Sequence, residues 1–412
     1  MISDKVDVLV IGAGPSGTVA ASIVKQQGYN VKIVEKLKFP RFVIGESLLP
    51  RCMEALEAAG FLEAVKKKGF QEKFGAKFVK NGRVCDFNFS EKYTEGWTWT
   101  WQVPRAEFDQ VLCDEVQRMG VPIEFETGVT AIEFNDVGSV TTVEDKQGNK
   151  KEIQAKFIID GSGYGRVIPK LFNLDKPSNL PPRKTVFAHI RDLNRAAYHE
   201  PNRITIVIHR PDIWIWIIPF SNGITSVGFV GSPAFFDQFP GDTTAQLRAM
   251  IESEPELKER FKNSELIFEA KSLESWSMSS NTFFGKGFVL TGNVTEFLDP
   301  VFSSGVTLAT VSAQTAAGLV CRELRGEAVD WQKEYTDYMM QGVNTFRSYV
   351  MGWYDETLQD IFFAPEPNPA IQRQICSVLA GYVWDKTNPY VRNHQRVLKT
   401  LAQVLKIDSK AI

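Results

Sequence analysis

The sequence predicts an α/β fold: a Rossmann-type nucleotide-binding lobe, a second and mostly antiparallel β-sheet lobe inserted into it, and a helical C-terminal region. Three observations predict this. Val6-Asp7-Val8-Leu9-Val10-Ile11 is an apolar run of the kind found in buried parallel strands, and it breaks into the turn Gly12-Ala13-Gly14-Pro15-Ser16-Gly17. An Ala-rich helix from Pro15 to about Gln27 and a second strand, Val31–Glu35, complete a βαβ unit. From about Pro181 to Trp276 the chain changes to short alternating runs separated by turns, which suits an antiparallel sheet.

The remaining elements follow in order. Arg51–Ala59 has helical spacing, while Phe74, Ala76 and Phe78 alternate with polar positions as on a strand. Arg105–Met119 is an amphipathic helix. Short strands are expected around Ile123–Phe125, Val129–Phe134, Val140–Val143 and Ile153–Ile159, with a turn at Lys146-Gln147-Gly148-Asn149. Thr185–Ile190, Ile204–His209, Ile213–Ile218 and Thr225–Val230 are the strands of the second lobe. Phe288–Gly292 returns to the first lobe, and a helix runs from about Ser304 to Arg325. The expected division is therefore a discontinuous cofactor lobe (1–180 and 277–330), a substrate lobe (181–276) and a helical region (331–412).

Composition narrows the function. With 412 residues, 43% hydrophobic and 23% charged, the chain is long enough for a large core. A net charge of -2 gives no electrostatic footprint for nucleic acid or an anionic membrane. Five scattered cysteines and four histidines show no metal-ligand or disulfide spacing. No basic leader opens the chain, so the cytoplasm is the expected compartment. Nine Trp and 29 Phe suit a large apolar cavity for a flat or greasy ligand.

The glycine turn follows a strand and opens a helix, which is the context a G-x-G-x-x-G needs. Gly12 allows the tight turn, Gly14 lets the backbone approach a pyrophosphate, and Gly17 lets helix pack on strand. Pro15 and Ser16 begin a helix whose N-terminus directs N–H groups at phosphate. Glu35 ends the second strand, the position of an acid that grips a ribose. This much fits NAD or FAD. Three further pieces favour the longer FAD: a second strand-to-glycine turn at Asp160-Gly161, a third at Gly292-Asn293 followed by Asp299-Pro300, and Arg105 at the start of a helix.

These blocks resemble the flavoprotein monooxygenases of the para-hydroxybenzoate hydroxylase fold and, within them, the flavin-dependent halogenases. The resemblance spans roughly residues 5–325 and rests on the opening motif, Phe39-Pro40-Arg41 through Gly45-Glu46-Ser47-Leu48-Leu49-Pro50, Gln102–Asp109, Ile159-Asp160-Gly161, and Asp299-Pro300-Val301-Phe302-Ser303-Ser304-Gly305-Val306. It implies FAD contacts from Gly12, Gly14, Pro15, Ser16, Gly17, Glu35, Arg41, Arg105, Asp160, Gly292, Asn293, Pro300, Gly305 and Val306, and halide held by the backbone of Ser303, Ser304 and Gly305. A helix beginning near Ser304 would aim its positive end at the flavin edge that carries negative charge when reduced. Asn293 stands where the family usually has Asp.

The catalytic expectation has two elements. Ile213-Trp214-Ile215-Trp216-Ile217-Ile218-Pro219 contains the W-x-W-x-I-P signature, which in the halogenases lies beside the passage from flavin to substrate. Two indoles on one face would keep an organic substrate off the flavin; the plainer reading is a core strand rich in aromatics. Lys73, in Gly69-Phe70-Gln71-Glu72-Lys73-Phe74-Gly75, matches the family's hypohalous-acid lysine; the plainer reading is a solvated lysine among Lys66, Lys67, Lys68, Lys77 and Lys80. The Trp-Gly pair expected after this segment is replaced by Val79-Lys80-Asn81-Gly82, and Phe302 stands where tryptophan-type halogenases carry glutamate, as in phenol and pyrrole halogenases. The resemblance implies reduced FAD from a separate flavin reductase, oxygen, halide, and an aromatic substrate, free or on an acyl carrier protein. A monooxygenase, a geranylgeranyl-reductase-like double-bond reductase, and a non-catalytic flavoprotein or carrier-binding module are the alternatives.

Overall fold

The computed structural model describes residues 2–178 and 180–408. Its first sheet pairs Ile2–Ile11 in parallel with Val31–Val34 on one side and Lys150–Asp160 on the other. Ile123–Glu124 and Phe288–Leu290 extend the parallel order at the two flanks. The hairpin of Thr127–Asn135 and Gly138–Asp145 joins through Lys150–Asp160 as an antiparallel flap. The helix Pro15–Gln26 begins with proline at its first turn, where a missing N–H costs nothing, and stops before Gly28, whose φ of 86° is left-handed. Against it packs Ser304–Leu324, a helix long and apolar enough to cross a membrane but 72% buried over its apolar window, as a core helix is.

The second sheet runs in the order Lys271–Glu274, Lys184–Arg191, Ile224–Gly231, Ile213–Pro219, Thr205–Arg210, Gly75–Lys80, Arg83–Asn88. Its middle strand shows why the sequence reads as it does. Ile213, Ile215 and Ile217 enter one core with Leu247 and Met250 of the helix Thr243–Ser253, while Trp214, Trp216 and Ile218 face the other core, toward the first lobe. Every residue of that strand is buried.

One expectation is corrected here. Residues 75–88 were expected within the nucleotide lobe, yet they form the far end of the second sheet, with Lys77, Phe78 and Val79 parallel to Thr205, Ile206 and Val207. The hairpin itself is local, turning at Asn81-Gly82, but its partner strand lies far along the chain, and no nearby residue records that pairing. Phe74 lies outside the strand and is exposed. The C-terminal helices close the second sheet: Trp353 and Phe362 pack on Phe78, and Trp353 reaches Phe302. The five cysteines are buried and unpaired, and no metal-binding cluster exists among the described residues.

Candidate functional site

A cavity of about 500 Å³ lies between the two sheets. It runs from Glu35, Lys36 and Leu37 past the glycine turn to Asn293, Pro300 and the Ser303–Val306 segment, and Trp214 and Trp216 form its wall on the second sheet. Of the residues expected on the cofactor, Gly12, Gly14, Pro15, Ser16, Glu35, Arg41, Arg105, Asn293, Pro300, Gly305 and Val306 line it. Gly17, Asp160 and Gly292 stand behind its wall, and so does Ser304 of the expected halide segment; Ser303 and Gly305 line it.

The glycine turn is as compact as such a turn must be. Gly12 has φ 95°, and a Cβ on Gly17 would fall 1.8 Å from the Gly12 carbonyl oxygen. The Glu35 carboxylate is fixed across this turn, accepting from Ala13 N and Leu37 N, each at 2.8 Å. Each oxygen still has a lone pair for a ribose hydroxyl. Ser16 donates to the Thr291 hydroxyl at 2.8 Å, tying the first turn to the third.

Arg41 and Arg105 share one buried acid. Arg41 Nη1 lies 2.9 Å from Asp109 Oδ2, and Arg105 grips both Asp109 oxygens at 2.8 and 3.0 Å. Burial works against the Arg105 charge, but Asp109 outweighs it and the net shift of its pKa is upward. Two guanidiniums thus meet at the cavity, held by Asp109 and with the Glu46 carboxylate beside Arg105, and both line it as donors that a diphosphate requires. Asp109 had no signal of its own in the sequence: an acid four positions after an arginine on a helix reads as an ordinary surface pair.

Asp160 has a different part from the one expected. Its carboxylate accepts from Ser162 N at 3.0 Å and Ile168 N at 2.8 Å, so it shapes the second glycine turn from behind, and burial pushes its pKa up. At the far end, Ser303 adopts φ 56° and the helix Ser304–Leu324 begins with no side-chain cap, leaving first-turn N–H groups without intrahelical partners.

The tryptophan wall is held rigidly. Trp216 Nε1 donates to Ser226 Oγ, and Trp214 Nε1 donates to Tyr354 Oη, both at 3.0 Å. Tyr354 in turn donates to Asp299 Oδ2 at 2.8 Å, beneath the Arg183 guanidinium at 3.8 Å from its ring centroid. Burial raises Asp299 to about 6. Tyr354 thus ties a C-terminal helix to the indole wall and to the loop before Val306, a link that no local motif announced.

Lys73 is 3% exposed and does not line the cavity. Its amine donates to Ser47 Oγ and Leu48 O, both at 2.8 Å, and sits 5.4 Å from the Phe89 ring centroid. Ser47 does line the cavity, so one side chain separates the amine from it. Burial lowers the Lys73 pKa to about 7. It is no solvated lysine of a basic stretch.

An elongated cavity with an acid at one end, two guanidinium groups along it and free helix N–H groups at the other fits FAD. The family described as FAD binding domain matches residues 5–331. A solved flavoprotein/dehydrogenase from Cytophaga hutchinsonii is 59% identical, with TM-score 0.97, over 98% of this chain and 100% of that one. The 1H-pyrrole-2-carbonyl (peptidyl-carrier protein) chlorinase of Pseudomonas fluorescens is 27% identical over 406 residues, covering 92% of this chain and 89% of its own. A solved flavin-dependent brominase, 24% identical with TM-score 0.82 over 98% of this chain and 100% of that one, shares the fold.

Proposed function

Because the chain belongs to the FAD-binding-domain family, we propose that it is a flavin-dependent halogenase, an FAD-dependent oxidoreductase acting on an electron-rich aromatic of phenol or pyrrole type, free or carrier-tethered. Reduced FAD, delivered by a separate flavin reductase, supplies the electrons that activate dioxygen. In balance, reduced FAD, dioxygen, halide, a proton and an aryl C–H give FAD, an aryl halide and two waters.

The observation that carries this reading is a separation. Trp214 and Trp216 wall the cofactor cavity, while the buried Lys73 amine stands outside it behind Ser47. A bulky substrate is kept off the flavin; a triatomic oxidant such as hypohalous acid is small enough to pass. Glu35 would hold the ribose, Arg41 and Arg105 would meet the diphosphate, and the segment from Pro300 to Val306 would hold the ring. Of the expected halide segment, Gly305 would offer its backbone N–H, since the Ser303 N–H is donated to Pro300 O at 2.9 Å and Ser304 stands behind the wall. With a pKa near 7, Lys73 presents a donor when protonated and a nucleophilic amine when not.

The test is turnover with chloride or bromide, with reduced FAD supplied, in wild type and Lys73→Ala. Halogenated product from wild type and its loss in the variant are expected; equal product from both would end the lysine assignment. A second reading is direct oxidation of an apolar substrate against the second sheet. It is favoured by the apolar wall of Ile204, Ile206 and Ile218 on this cavity and by the buried hydroxyl of Thr185, which also lines it and has no hydrogen-bond partner among the described residues. Product formed equally without halide would select it.

A further inference from the structure

We infer that Glu46 binds the flavin head directly, one carboxylate oxygen accepting an N–H hydrogen bond from the isoalloxazine while His189 holds the other. The inference rests on FAD as the cofactor and not on the halogenase reading.

Glu46 lines the cavity and is 1% exposed. Its Oε1 lies 2.6 Å from His189 Nε2. Its Oε2 is buried with no hydrogen-bond partner among the described residues. Leaving a buried acceptor unpaired is costly, and more so for a charged group, so the site calls for a donor that the described residues do not provide.

His189 cannot swing away to relieve this. Its ring is packed among Phe42, Phe220 and Phe268, with centroids 5.8, 5.2 and 4.8 Å away. Two positions earlier on the same strand face, Phe187 packs on Trp216 at 5.8 Å. The pair therefore stands between the indole wall and the Arg105 guanidinium, which donates to the neighbouring Gly45 carbonyl at 3.2 Å. The titratable groups that bear on Glu46 are the His189 ring and Arg105, whose charge Glu46 favours. Here a bound FAD would offer the ring N–H of its isoalloxazine, and at Glu35 it would offer ribose hydroxyls. One carboxylate thus serves each end of the ligand.

The experiment titrates flavin-stripped wild type, Glu46→Ala and Glu46→Gln with FAD and with ADP, which lacks the ring. Glu46→Ala should lose about tenfold in FAD affinity with ADP affinity unchanged, as loss of one charge-assisted hydrogen bond predicts. Glu46→Gln keeps the shape and removes the charge. It should shift bound flavin toward the reduced form by about tenfold at fixed potential, because a carboxylate beside the ring disfavours the anionic reduced state. Wild-type FAD affinity in Glu46→Ala, an ADP affinity that falls in step with FAD, or an unmoved redox ratio in Glu46→Gln would each overturn the assignment. None of these readouts needs halide, so a failure of halogenation leaves this result standing, and the reverse holds too.

Discussion

The two ends of the cofactor cavity are built on opposite principles. The end at Gly12 and Glu35 is made by about thirty consecutive residues, and its demands are steric: Gly17 has no room for a methyl group. The end at Trp214 and Trp216, with Lys73 and Asp299 behind its wall, is gathered from distant segments and its demands are electrostatic: a buried amine, a buried acid and two indole N–H groups must each find a partner. Steric sites are written in contiguous motifs. Electrostatic sites are written in partners, which may come from anywhere in the chain.

The contrast can be broken at several points. Gly17→Ala should have the largest effect, since its Cβ would meet the Gly12 carbonyl oxygen at 1.8 Å; we expect a loss above about 4 kcal/mol and no FAD uptake, read by thermal unfolding and flavin fluorescence. Asp109→Ala leaves the buried Arg105 and the half-buried Arg41 guanidiniums without their acid and should cost about 3–5 kcal/mol, again by thermal unfolding.

Lys73→Met should spare FAD binding while halogenation falls about 100-fold or more. It also removes a pH signature. Between about pH 7 and the ordinary lysine value, the folded state holds Lys73 neutral while the unfolded chain binds its proton, so stability rises with pH across that window. Melting temperatures of Lys73→Met relative to wild type should therefore converge as pH rises from 7 to 10. The smallest effect is expected for Tyr354→Phe, about 1–2 kcal/mol, because Trp214 loses an acceptor and Asp299 a donor. Losing that donor should also push the Asp299 pKa further above about 6, seen by infrared titration of its carboxyl stretch.

The same contrast explains what was legible beforehand. The glycine motif, Glu35, the Trp214–Trp216 face and the helix from Ser304 could all be read because a period or a turn chemistry fixes each within a few residues. Asp109, Tyr354 and the Glu46–His189 pair could not, since each is an ordinary residue until a partner far along the chain is folded against it. Asp160 misled for a related reason: its strand-to-glycine setting resembles a ligand contact, while its two oxygens are occupied by backbone N–H groups.

The parallel pairing of residues 77–79 with 205–207 has a consequence for synthesis. The hairpin leaves the ribosome more than a hundred residues before its neighbour, and until then it exposes an open, hydrogen-bond-hungry border. A piece cut at 181–276 would carry the complementary wound along Thr205–Arg210. Such a piece should precipitate when expressed alone and dissolve when residues 71–102 are supplied alongside it.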